Sequence, residues 1–168
     1  HRGMALALSA VLLLLTAAPS AWAAENTITI ETAQDLAELS KNCSLDSWSQ
    51  GKTVLLAGDI DLTGTDFRPI PTFGGTFDGQ GHTISGLLVT GNGNVQGLFR
   101  YVQVGGVVQD LSVRGTVSPT DFRGTAGGIV GSNRGQLLRC TFQGTVKGES
   151  SVGGIAGINE AEGRLINC

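Results

Sequence analysis

Hydrophobic residues in this chain come in short alternating bursts, each closed by glycine. The runs 53–57 (TVLLA), 59–62 (DIDL), 75–77 (GTF), 82–85 (HTIS) and 87–89 (LLV) are punctuated by Gly58, Gly64, Gly74, Gly79, Gly81 and Gly86. Alternation with a period of two marks half-buried β-strands, and glycine supplies the positive φ that tight turns need. Strands of three to five residues with turns this short make poor hairpins. They suit the coils of a solenoid, with three short strands to a coil of about 20 to 30 residues.

The second half of the chain repeats itself. Residues 108–136 read VQDLSVRGTVSPTDFRGTAGGIVGSNRGQ and residues 137–163 read LLRCTFQGTVKGESSVGGIAGINEAEG. Gly115-Thr116-Val117 returns 29 residues later as Gly144-Thr145-Val146, and Gly127-Gly128-Ile129 returns 26 residues later as Gly153-Gly154-Ile155. A more degenerate unit precedes them at residues 96–103 (QGLFRYVQ), and a further one opens at 164–168 (RLINC), which suggests the front part of a longer polypeptide. A unit this small cannot cover its own apolar face, so neighbouring coils must bury one another. The expected fold is all-β, a right-handed parallel β-helix occupying 53–168, incomplete at its C-terminal end.

Ahead of the repeats, within 24–52, a strand and a helix are expected. The helix covers 32–41 (TAQDLAELSK), with Ala33, Leu36, Ala37 and Leu39 or Ser40 on its apolar side. Thr32 and Asp35 have the spacing of a capping box, and an acid near the helix start complements the dipole. A solenoid exposes apolar side chains and open strand edges at its end, so this helix reads as a lid rather than a partner-binding element.

Residues 1–23 read as a secretory leader. An apolar run follows Met4, and Ala21-Trp22-Ala23 supplies a small-x-small cleavage pattern. The run falls short of the ~20 residues that span a bilayer, so no membrane span is expected once the leader is removed. The chain carries 11 basic and 14 acidic residues, and removing Arg2 with the leader leaves 10 against 14, a net charge of −4. With its arginines spread one or two to a coil at outward positions, the chain has no basic stripe for nucleic acid. Gly is 26 of 168 residues and Gly with Pro is 30, glycine-rich but not low-complexity.

Gly128-Ile129-Val130-Gly131 and Gly154-Ile155-Ala156-Gly157, each preceded by glycine, resemble the GLUG motif. Residues 74–84 (GGTFDGQGHTI) resemble the coil that commonly precedes such repeats, so the likeness runs from Thr53 to Cys168. It implies a bacterial secreted or surface protein, of the kind that includes the non-catalytic repeat region of immunoglobulin A-cleaving metallopeptidases. It specifies architecture more than activity.

Candidate chemistry is sparse. A zinc peptidase needs His-Glu-x-x-His, and the histidines here are His1 and His82, so any such centre would have to lie beyond Cys168. Asp59, Asp61, Asp66, Asp78 and His82 fall within 24 residues. Paired carboxylates of this kind serve glycosidic cleavage or calcium binding. Asp78-Gly79-Gln80-Gly81 reads more simply as a turn, and Asp59 and Asp61 as the outward positions of a strand. Cys140 and Cys168 occupy matching slots (LLRC, LINC), with Leu111 in the same slot one coil earlier, which predicts inward-facing stacked thiols rather than a disulfide. Cys43 has no partner in sequence, and no Cys-x-x-Cys pair suggests structural zinc. Phe77, Phe99, Trp48 and Phe142, the last in register with Val113, read as core or end packing. Asn133-Arg134-Gly135 and Asn159-Glu160-Ala161 read as turns at equivalent corners.

The expected role is a non-catalytic extracellular scaffold or adhesion module of a larger surface or secreted protein. No residue is assigned a catalytic, cofactor-binding or metal-ligating role, and no cofactor is implied. Partners would be a host or cell-surface protein or glycan, and downstream domains of the same chain, but not nucleic acid. Two alternatives are a polysaccharide-cleaving β-helix and an accessory region of a secreted zinc peptidase. An isolated segment ending at Cys168 is expected to fray or aggregate at that edge.

Overall fold

The computed structural model of the chain describes residues 25–120 and 123–168. The leader assigned to 1–23 lies outside the described residues. Within them the chain winds as a parallel β-helix of about five turns.

The path begins with β1 (Thr27–Ile30) and α1 (Ala33–Asn42). The first full coil holds β2 (Thr53–Leu56), β3 (Ile60–Asp61) and β4 (Ile70–Phe73). The second holds β5 (Thr76–Asp78), β6 (Thr83–Val89), β7 (Val95–Gln96) and β8 (Phe99–Val102). The third holds β9 (Val107–Gln109), β10 (Ser112–Val117), β11 (Thr125–Gly127) and β12 (Val130–Asn133). The fourth holds β13 (Gln136–Leu138), β14 (Thr141–Val146), β15 (Val152–Gly153) and β16 (Ala156–Asn159), and β17 (Arg164–Ile166) opens the next.

Equivalent strands pair into four parallel sheets: β1-β2-β5-β9-β13-β17, β3-β6-β10-β14, β7-β11-β15 and β4-β8-β12-β16. The N-terminal strand β1 pairs in parallel with β2 from Thr27 and is the first strand of the six-stranded sheet. The repeated steps fall on one another as the spacing predicts. Gly115, Thr116 and Val117 oppose Gly144, Thr145 and Val146, and Val113 opposes Phe142. The Ile129 amide donates to the Ile155 carbonyl at 3.0 Å.

Side chains therefore stack in columns. Val54, Phe77, Val108 and Leu137 are register neighbours along one sheet, and all four are fully buried. At the N-terminal half Phe73, Phe77 and Phe99 meet as tilted and edge-to-face pairs, with ring centroids 6.1, 5.4 and 5.3 Å apart. Such pairs satisfy the ring quadrupoles as well as burying area.

The glycines of the Gly-Gly-Ile step allow the close approach. A Cβ on Gly127 would collide with the Val130 carbonyl oxygen, and one on Gly128 with the Phe142 ring of the next coil.

The runs 108–113 and 137–142 differ from single strands. Each is two strands bent at a corner, because Asp110 and Arg139 sit at φ 50° and 52°. Asn167 (φ 53°) repeats the corner once more. Left-handed φ is tolerated by Asp and Asn but unusual for Arg. The Arg139 guanidinium donates to both Asp110 carboxylate oxygens, at 2.6 and 3.0 Å, tying two corners together. Gly86, read as a turn, is instead a bulge within β6: its φ is 68°, and two residues there face one on β10.

Helix α1 follows its sequence signals closely. The Asp35 amide donates to Thr32 Oγ1 at 3.1 Å, and Asp35 Oδ2 accepts from the Thr32 and Glu31 amides at 3.0 and 2.9 Å. The Glu31 amide, foremost, holds the Asp35 carboxyl below its ordinary pKa. Leu36, Leu39 and Ser40 are buried while Ala33 and Ala37 are half-buried. Ser40 Oγ donates to the Arg68 and Pro69 carbonyls at 2.8 and 3.1 Å, fastening the helix to the chain entering β4. α1 thus takes the place of strands in the first turn and covers the apolar end of the coil.

Phe77→Ala empties the centre of the aromatic cluster and should cost ~3–5 kcal/mol of unfolding free energy, the range for buried Phe truncations. Urea denaturation measures it, and a loss below about 1 kcal/mol would show that the three rings do not form the packed core.

Candidate functional site

The acidic residues of 59–82 do not converge. Asp61 lies at the end of β3, Asp78 at the end of β5 on a different sheet, and Asp59 at the corner between β2 and β3. Asp61 and Asp78 are each engaged by a turn. Asp61 Oδ1 accepts the Thr63 amide at 2.9 Å, and the Thr63 hydroxyl and amide hold its carboxyl below the ordinary carboxylate pKa. Asp78 Oδ1 accepts the Gln80 amide at 2.8 Å, and its Oδ2 accepts Gln109 Nε2 at 3.1 Å from the next coil. Gln80 at φ 51° and Gly81 at φ 79° complete the turn read from the sequence. Asp66 is exposed.

Asp59 and His82 form the closest approach to an acid–base pair. Asp59 Oδ1 lies 3.4 Å from His82 Nδ1, but the same oxygen accepts the Thr83 amide at 2.9 Å, and the Asp59 side chain is 75% exposed. Its geometry is that of a corner clasp between coils. Among the described residues no three His, Cys, Asp or Glu side chains are grouped to hold a metal ion.

The cysteine slots line up as the sequence predicts. Leu111 and Cys140 are buried in successive coils, and all three cysteines are free thiols. Cys140 Sγ donates to Val108 O at 3.4 Å, and Cys168 Sγ donates to Leu137 O at 3.4 Å, the register partner of Val108. Cys168 keeps this inward direction although the residue is exposed. Burial pushes the Cys140 thiol up to about 12 and the Cys43 thiol up to about 11.

The equivalent corners at Asn133 and Asn159 hold more than turn residues. Asn133 is fully buried, yet its Nδ2 donates to Asn159 Oδ1 at 2.8 Å and its Oδ1 accepts the Gly135 amide at 3.1 Å. Asn159 Nδ2 in turn donates to Gly163 O at 3.0 Å. The same column holds Phe73 and Val102 in earlier coils, so an apolar stack gives way to an amide ladder. A buried amide is tolerated only when its donors and acceptor are met, and stacked identical corners meet them.

The surface feature that sequence reasoning missed lies over β4 and β8 and the corner that follows β12. An open groove of about 650 Å³ there is lined by Arg100, Tyr101 and Arg134, with Gln103, Gln50 and Asp46 along one side. Gln103 Nε2 donates to Thr72 Oγ1 and to the Asp46 carbonyl, both at 2.7 Å, and its Oε1 accepts Gln50 Nε2 at 3.0 Å. Arg100 Nε donates to Val95 O at 3.0 Å, and its guanidinium carbon lies 5.8 Å from the Tyr101 ring centroid. Tyr101 is 40% exposed. The available signal was an aromatic at an outward strand position beside an arginine.

No family model and no solved structure matches the chain. Among curated proteins it is similar to Halomucin of Haloquadratum walsbyi (strain DSM 16790 / HBSQ001), with 33% identity over 131 residues. That alignment covers 68% of this chain and spans about 1% of the length of Halomucin. Among the described residues no helix is long and apolar enough to cross a membrane.

The cysteine environments set a pH dependence. In the unfolded chain a thiol titrates near 8.5, whereas Cys43 and Cys140 in the fold titrate at about 11 and about 12. Thiolate formation therefore favours the unfolded chain, so this contribution is full below about pH 8.5 and is lost as pH rises toward about 12. Denaturation midpoints should fall over that window, and less steeply in Cys140→Ala than in the parent. An unchanged midpoint from pH 8 to 10.5 would contradict the buried-thiol assignment.

Proposed function

We propose that the chain is a non-catalytic, exported β-helical module, a scaffold or adhesion surface within a larger secreted or surface protein. The observation that carries this reading is the parallel register that runs from coil to coil, shifted within β6 by the Gly86 bulge. Their corner carboxylates are engaged in turn and inter-coil hydrogen bonds and do not meet in a cleft. A solenoid of this kind offers a long, rigid, outward surface whose side chains repeat from coil to coil.

Three further features support it. The Gly-Gly-Ile-x-Gly steps resemble GLUG repeats of bacterial secreted proteins, and Gly128 stands where the Phe142 ring of the next coil comes close. Residues 1–23 have the pattern of a secretory leader. The segment similar to this chain is a very small part of Halomucin, a protein whose name is that of a mucin, which suits a module carried within a larger polypeptide.

A polysaccharide-cleaving reading draws on the Asp59–His82 approach. Cleavage needs a second carboxyl group across the scissile bond, about 5 Å away for retention or about 6.5–9.5 Å for inversion. Asp61 is bound into its own turn at the end of β3, and Asp78 into its own turn on a different sheet.

Intact cells expressing the protein from its own gene, treated with a protease that cannot cross membranes, should lose an epitope placed on the coils at Arg114. An epitope protected until the cells are lysed would contradict the export and display reading.

A further inference from the structure

We infer that the groove over β4, β8 and the corner after β12 binds a hexuronic acid residue of an acidic glycan, with Arg100 and Arg134 holding the sugar carboxylate and Tyr101 stacking on the pyranose ring. The inference rests on the reading of the coils as a display surface and names what that surface would take.

Charge is the first reason. The chain is acidic overall, 11 basic against 14 acidic residues, yet two of its arginines line this one groove, with Asp46 as the sole acidic residue lining it. Nε of Arg100 is tied to Val95 O, and its two terminal nitrogens have no hydrogen-bond partner among the described residues. A guanidinium fixed through Nε presents its remaining fork to a planar, bidentate acceptor, which is what a carboxylate is. Arg134 already meets a carboxylate at the rim, Glu162 Oε1 at 3.5 Å, with both side chains about half exposed. So long and solvated a pair is readily exchanged for a ligand's own carboxylate.

Shape and preorganisation are the second. The volume of about 650 Å³ falls in the range of small-ligand sites. The side formed by Gln103 is held in place, because both its Nε2 protons and its Oε1 are committed within the protein. Tyr101 stands on a strand paired on both sides, so its ring position is set by the sheet. Aromatic and guanidinium groups held on rigid strands lose little freedom on binding.

The sheet also decides between a glycan and an acidic peptide. Peptides captured at a sheet add a strand to a free edge. At this groove β8 is paired with β4 and β12, so its backbone hydrogen bonds are taken and only side chains are on offer. A ring-faced, carboxylated ligand matches what remains.

The test is isothermal titration of the purified full chain with tetragalacturonate, its methyl ester and hexaglutamate. Tetragalacturonate should bind, with the ester and hexaglutamate each at least tenfold weaker. Arg100→Gln and Tyr101→Ala should each weaken tetragalacturonate binding at least tenfold with the circular dichroism spectrum unchanged, while Arg114→Gln on another sheet leaves it as it was. Absent binding, equal binding of the ester, tighter binding of hexaglutamate, or indifference to Arg100→Gln would each overturn the assignment. Such a failure with the coils still protease-accessible on intact cells would sink the groove alone. Coils protected on intact cells would sink the display reading whatever the groove binds.

Discussion

Each coil of this protein stays out of water only because its neighbour lies one strand spacing away in the same register. Parallel pairing between coils satisfies the backbone, and the same pairing sets each inward side chain on its counterpart, so hydrogen bonding and core packing cannot be separated. The cost of the arrangement is its ends, where one side has no neighbour. At the N-terminal end α1 answers that cost by covering the first coil with Leu36 and Leu39 and by fastening Ser40 to the strand entry. Within the coils, register makes identical residues useful in columns, whether Val54 through Leu137, the Leu111 and Cys140 slot, or the Asn133 and Asn159 amides.

The elements legible in the sequence were those with local causes. The capping box of α1, the Asp78 turn and the alternation of the early strands are short-range signals, and the structure places them within a residue or two of where they read. The Gly-Thr-Val and Gly-Gly-Ile repeats carried long-range information because equal spacing in a solenoid means contact. The rest depended on neighbours. Arg139 in a left-handed corner violates local preference, and it is held there by the Asp110 carboxylate of the coil before, a pairing no window of sequence reveals. Gly86 reads equally well as a turn or a bulge until β10 supplies the count of residues opposite it. Asn133 looks like any turn asparagine, and its burial follows from Asn159 being stacked on it.

The candidate sites divide along the same line. The acidic cluster was conspicuous in sequence because its members are close in number, but a coil sends close numbers to different sheets, and Asp61 and Asp78 part company there. The groove was inconspicuous for the converse reason. Gln50, Arg100 and Arg134 are far apart in number, and successive coils gather them on one outward face. In a β-helix, surface chemistry is assembled across coils rather than along them, so the useful question for any polar residue is what lies one coil away.

The central claim is the register itself, and paired spin labels read it most directly. Cysteines introduced at the exposed partners Arg114 and Gln143 of β10 and β14, in a chain whose native cysteines are replaced by alanine, carry nitroxides on strands about 4.8 Å apart. Strong dipolar broadening in the frozen continuous-wave spectrum is the expected result, with little for labels at Arg114 and Arg164, on different sheets. Sharp, non-interacting lines for the Arg114 and Gln143 pair would show that like does not lie upon like, and the scaffold would fall with it.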